Sequence, residues 1–203
     1  MPSHTIFNER PECQDRLIQF LINMGYDYVS RSEAESKRRN LSSVLFEDEL
    51  IRFLQKQTYT YNGHELLFSG ESITKAVKEL DASLLQGLSM ASKEIYNHLT
   101  LGISLEESIA IDSDIPVKRS FDLRYIDFDH PANNTWQVTE EFSVQRPNSS
   151  YARPDIVLLV NGIPFVVIEC KKSSVDVAEG VHQNVRNMMP DYIPQLFKFA
   201  QIV

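Results

Sequence analysis

Three charged residues stand at the open end of an otherwise apolar hairpin. Asp155 follows Pro154 at the head of the run 155–160 (DIVLLV), and Glu169 and Lys171 flank Cys170 at the tail of 163–170 (IPFVVIEC). Both runs are apolar on both faces, as central strands covered on two sides are. Asn161-Gly162 between them predicts a tight turn. Charged groups in such a place are costly to desolvate unless they serve each other or an ion. Asp155 and Glu169 are hard oxygen ligands of the kind Mg²⁺ prefers, alongside phosphate oxygens and water. The carbonyl oxygen of Cys170 could serve the same ion. Glu169 and Lys171 lie two apart on a strand and so share a face. Together they point to metal-assisted hydrolysis of a phosphodiester. The ion lowers the pKa of bound water and offsets developing charge. Lys171 orients or helps deprotonate the attacking water and balances charge at the phosphate.

That chemistry places a condition on the hairpin. A strict two-residue turn at Asn161-Gly162 sets Asp155 opposite Ile168, on the side of the sheet away from Glu169. The site needs Asp155 opposite Glu169, so the sequence predicts an odd-length turn or a β-bulge in one of the two strands.

The elements that must hold this hairpin follow from composition and pattern. The chain has 203 residues, 42% hydrophobic and 24% charged, enough for one core-forming domain or a domain with a helical appendage. No apolar run exceeds about six residues, far short of a membrane span. The first twelve residues, MPSHTIFNERPE, lack a basic region followed by an apolar stretch, so no export leader is expected. Two cysteines, Cys13 and Cys170, make no disulfide framework, and a cytoplasmic setting is expected. None of the seven glycines precedes a lysine, and none forms G-x-G-x-x-G, which excludes a P-loop and a dinucleotide fingerprint. The net charge of −8 argues against a protein that coats nucleic acid. Its distribution matters more. Residues 1–145 hold 14 basic and 23 acidic residues, a net of −9, while 146–203 hold 6 and 5, a net of +1.

Helical spacing of Leu17, Ile18, Leu21 and Ile22 predicts an amphipathic helix over 11–24, capped by Gly25. The basic segment 31–40 reads as a loop or solvated helix end, and 43–56 as a second helix. Asn62-Gly63 predicts a type I′ hairpin within 57–70. Further helices are expected at 72–86 and 90–100. From 117 the pattern turns to strands. Segment 121–128 alternates in part, 130–134 reads as a turn, and 135–145 (TWQVTEEFSVQ) alternates with a change of parity near Glu140-Glu141. Segment 146–150 is a loop. Residues 178–203 read as largely helical, including the terminal FAQIV, with a break at 189–191. That uncapped apolar end is expected to be a cut through a longer protein. The fold class is therefore α+β: a mixed sheet flanked by helices, with a helical portion over 1–116, a core over 117–203, and a C-terminal helix closing over the site.

Pro154-Asp155 and Glu169-Cys170-Lys171 match the PD-(D/E)xK nuclease pattern. The longer string RPDIVLLVNGIPFVVIECKK resembles the N-terminal endonuclease domain of the restriction subunit of type I restriction-modification enzymes, as do DFDHPANNTWQVTEEFSVQ and VHQNVRNMMPDYIPQLFKFAQ. The resemblance covers most of 117–203. It implies a restriction-endonuclease-like core cleaving double-stranded DNA with Mg²⁺. It places metal ligands at Asp155, Glu169 and the Cys170 carbonyl, and the catalytic lysine at Lys171. It also implies partner methyltransferase and specificity subunits, and ATP use confined to a translocating motor that is absent from this chain. The family carries a QxxxY motif on the helix after the lysine. Gln195-Leu196-Phe197-Lys198-Phe199 matches it with Phe for Tyr, giving Gln195 as a cofactor-site residue, and Gln183 competes for the role.

Other residues read more plainly. Glu140 and Glu141 are expected at solvated strand positions, Trp136 and Phe199 in the core, and Lys37-Arg38-Arg39 as a solvated basic run. The five histidines show no zinc spacing. Two other readings stay open: a stand-alone repair or recombination nuclease with the same core, and a catalytically inactive module docking DNA or a partner subunit.

Overall fold

The computed structural model describes residues 12–111, 115–170 and 177–203. At its centre is a four-stranded mixed sheet. β1 (Asp27–Val29) runs parallel to β6 (Trp136–Glu140), which is antiparallel to β9 (Ile156–Val160), which is antiparallel to β10 (Ile163–Ile168). β9 is central and apolar on both faces because both faces are covered, whereas the equally apolar β10, expected as a central strand, lies at an edge of the sheet. On one side Val138, Ile156, Leu158 and Cys170 cluster with Ile18 and Leu21 of α1 (Glu12–Asn23). On the other, Val157, Leu159, Ile163 and Val167 join the larger core. The fold is α+β, with helices flanking a mixed sheet.

That larger core is built by the middle of the chain. α2 (Arg31–Ser36) starts at a capping box, in which the Ser30 side chain accepts from Glu33 N and the Glu33 carboxylate accepts from Ser30 N. α3 (Glu47–Leu54) begins later than its hydrophobic pattern suggests. Val44, Leu45 and Phe46 are buried before the helix starts, and three carboxylates at 47–49 occupy its first turn, where the helix dipole favours them. The hairpin β2 (Thr58–Tyr61) and β3 (His64–Leu67) turns at Asn62 and Gly63, both at positive φ, as type I′ geometry requires. α4 (Gly70–Glu79) and α5 (Leu88–Leu101) are separated by a short 3₁₀ turn at Leu84–Gln86, where one continuous helix was expected over 72–86.

A strand absent from the sequence reading follows. β4 (Ile103–Ile109) pairs antiparallel with β5 (Val117–Leu123). Its alternation is masked because the inward position between Leu105 and Ile109 is Glu107. That buried carboxylate accepts from Ser69 N and Ser69 Oγ, both at 3.1 Å, at the N-terminus of α4. The two-strand pairing spans the 116/117 boundary, and β1 brings residues 27–29 into the same sheet as β9 and β10.

β7 (Val144–Gln145) and β8 (Tyr151–Ala152) form a small ribbon around the loop 146–150. The irregularity expected at 140–141 is present: β6 ends at Glu140, and Glu141 takes φ +44°. After α6 (Val177–Asn187) and α7 (Pro194–Phe197), the terminal run is not helical as expected. It lies extended against β10, with Gln201 N donating to Phe165 O at 2.8 Å and Val167 N donating to Ile202 O at 3.0 Å. A short apolar run fits helix or strand equally by pattern. Here the open backbone groups of β10, an edge strand of the sheet, decide the outcome.

Candidate metal-dependent nuclease site

The hairpin β9–β10 turns at Asn161 and Gly162, with φ +52° and +79°. Ile163 pairs with Val160 and Pro164 with Leu159, the simple register. Then Phe165 is skipped, and Val166, Val167 and Ile168 pair with Leu158, Val157 and Ile156. This is a bulge, and Pro164 explains its place: with no N–H, proline cannot donate to the ladder and is tolerated in sheets at edges and bulges. Continued one residue past its last rung, the pairing sets Asp155 opposite Glu169, the arrangement the sequence required.

Asp155 is held from several directions. Its carbonyl accepts from Glu141 N at 2.9 Å and from Gln14 Nε2 on α1, also at 2.9 Å. Its carboxylate Oδ2 accepts from Cys170 N at 2.7 Å. The Glu169 carboxylate oxygen Oε2 accepts from Gln183 Nε2 of α6 at 2.6 Å. One strand head, one strand tail and two helices therefore meet around the two carboxylates. Gln14, which is buried, was missed by the sequence reading. A single amide on an amphipathic helix gives no signal of its own.

Cys170 is buried, and that burial, reinforced by Cys13, Asp155 and Glu169, pushes its thiol up to about 12. The sulfur stays protonated and is a poor thiolate ligand, which leaves its carbonyl as the donor of interest. Among the described residues no group of three or more His, Cys, Asp or Glu could hold a metal. Two carboxylates and a backbone carbonyl are nonetheless a donor set that suits Mg²⁺, which completes its shell with water and phosphate oxygens. Lys171 and Lys172 lie outside the described residues.

The remaining candidates fall elsewhere. Gln195 on α7 donates to Gln145 O at 2.9 Å and lines a cavity with Arg39 and Lys198, so the structure sets Gln183, not Gln195, against Glu169. Phe199 is buried in the core, as expected. Glu140 is buried rather than solvated and accepts from Tyr28 Oη at 2.7 Å. Glu141 pairs with Arg31 at 3.1 Å. The basic run 37–39 is solvated only in part: Arg39 is exposed, Lys37 half-buried and Arg38 buried. Lys37 pairs with Glu49 and Arg39 with Glu47. Arg38 is buried over the Phe142 ring, donating to the carbonyls of Ala34, Ser43 and Ser143.

Comparison with known proteins identifies a family. Residues 6–203 match the family model described as type I restriction enzyme R protein N terminus. A type I restriction enzyme endonuclease subunit of Staphylococcus saprophyticus is 31% identical over 172 residues, covering 79% of this chain and 18% of that protein. Counterparts so named in Methanocaldococcus jannaschii and Haemophilus influenzae are 28% and 24% identical, over 97% and 94% of the chain. The chain spans less than a fifth of the length of these relatives.

Proposed function

The chain belongs to the type I restriction enzyme R protein N-terminus family, and from that premise we propose that it cleaves double-stranded DNA with Mg²⁺ inside a type I restriction complex. The observation that carries the reading is the Phe165 bulge, which sets Asp155 opposite Glu169 where an unbulged hairpin would separate them.

Asp155, Glu169 and the Cys170 carbonyl hold the ion in this reading. When bound, Mg²⁺ supplies charge for the phosphate and an acidified water. The protein's own part is positioning. Cys170 N fixes the Asp155 carboxylate, Gln183 fixes that of Glu169, and the Gln14 and Glu141 contacts fix the Asp155 backbone, so both ligands are oriented before substrate arrives. Lys171, next in the chain after Cys170, orients the attacking water and balances charge at the scissile phosphate. The partners are duplex DNA and the methyltransferase and specificity subunits. ATP is used by the longer subunit, outside this segment. Among the described residues no helix is long and apolar enough to cross a membrane.

The test uses the full-length subunit reconstituted with its partners. Lys171→Ala and Asp155→Ala are expected to abolish cleavage while ATP hydrolysis and translocation continue. Cleavage retained by either variant removes that residue from the mechanism. Calorimetric Mg²⁺ titration, with Asp155→Ala as control, separates a nuclease from an inactive docking module. Binding that does not depend on the carboxylate would favour the module.

A further inference from the structure

Residues 146–203 contain three arginines, Arg146, Arg153 and Arg186, and all three line one cavity of about 480 Å³. They reach it from different elements: Arg146 from the loop after β7, Arg153 from the segment between β8 and Asp155, and Arg186 from α6. Among the described residues none of the three pairs with a carboxylate, in a chain whose acidic residues outnumber its basic ones by 28 to 20. Arg146 and Arg186 lie over the same ring, with their guanidinium carbons 4.4 and 5.6 Å from the Tyr192 centroid. The Nε of Arg146 is buried without a hydrogen-bond partner. Ser149 and Ser150 complete the rim, Ser149 at φ +64° in a turn closed by Arg146 N donating to Ser150 O at 2.8 Å.

Like charges gathered on one aromatic ring repel, and a buried donor without an acceptor is unfavourable. An anion in the cavity relieves the repulsion among the guanidinium groups. Guanidinium groups match phosphate oxygens in geometry and charge. The cavity also adjoins the site: Gln183 lines it and donates to Glu169, and Arg153 is two residues from Asp155. We propose that this arginine pocket binds a backbone phosphate of the DNA next to the scissile one and sets the strand in register with the carboxylates. The proposal rests on the nuclease reading of Asp155 and Glu169 and adds the surface that presents the substrate to them.

The experiment uses the full-length subunit in its complex, cutting plasmid DNA over a series of salt concentrations. Arg153 and Arg186 are exposed, so their replacement leaves the core intact. The Arg153→Ala/Arg186→Ala double variant should cut roughly tenfold more slowly or worse, with a deficit that changes with salt as phosphate contacts do. The double Lys variant should recover part of the rate, and ATP hydrolysis should be unchanged. Wild-type cleavage at every salt concentration, with Asp155→Ala inactive alongside, would overturn the pocket and leave the catalytic reading standing. A loss of ATP hydrolysis in the double Ala variant would assign the pocket to nucleotide and overturn it as well. Cleavage by Asp155→Ala would overturn the site itself, and the pocket's role with it.

Discussion

Gln183 and Gln195 lie on successive helices, yet only one amide reaches a carboxylate of the site. Gln183 donates to Glu169, while Gln195 is engaged by the Gln145 carbonyl. Gln183→Ala is therefore expected to lower DNA cleavage by roughly tenfold, the scale of a lost hydrogen bond to a charged group, and Gln195→Ala to leave it near wild type. Equal losses in a side-by-side cleavage assay would contradict this. Arg38 poses a different question at the same scale. Burial lowers its guanidinium to about 10, still charged at neutral pH, and three backbone carbonyls accept from it. Arg38→Met should destabilise the fold by about 2–4 kcal/mol, measured by denaturant unfolding, because those acceptors lose a buried donor. Asp155 and Glu169 were legible from the sequence because charge beside apolar strands is conspicuous. Arg38 was not, because three consecutive basic residues look alike until the fold buries one of them.

At the scale of elements, the β9–β10 hairpin carries most of the specification. Its turn is inserted into the protein rather than exposed. Asn161 is fully buried, donating to Tyr125 O and Asn134 Oδ1 and accepting from Thr135 N, and the Gly162 carbonyl accepts from Phe46 N at 2.9 Å. A Cβ on Gly162 would stand 2.5 Å from the Phe46 carbonyl oxygen, at a φ of +79° that side chains disfavour. Gly162→Ala should cost about 1–3 kcal/mol or more through strain and a displaced α3, read as a fall in melting temperature. A wild-type melting curve would show that α3 yields freely. The sequence foretold this turn and the need for a bulge. Pro164, which marks the bulge, was a signal left unused. β4 was hidden because Glu107 sits where an apolar residue would complete its alternation. The extended terminus was hidden because its partner, the edge of β10, is a tertiary feature that no local pattern records.

For the whole molecule, the charge pattern acquires a location. The part with a net of +1 contains both carboxylates of the site and all three arginines of the pocket. The acidic excess lies in 1–145, where several carboxylates are already engaged internally: Glu49 with Lys37, Glu47 with Arg39, and Glu107 at the start of α4. The relatives are more than five times longer than the segment they share with this chain. If the remainder of such a subunit presents the DNA, the isolated 203 residues should nick plasmid DNA only weakly at Mg²⁺ concentrations that saturate the full complex. Robust cutting by the isolated chain would show that presentation is not needed.

The contact between the terminal residues and β10 has a mechanical consequence. Gln201 grips the carbonyl of Phe165, the very residue skipped in the pairing, and Ile202 grips the amide of Val167 beside it. A pull along the chain at Val203 loads these two bonds in shear, at the point that determines where Glu169 stands. Tension on the last residues would thereby act on the strand that leads into Glu169.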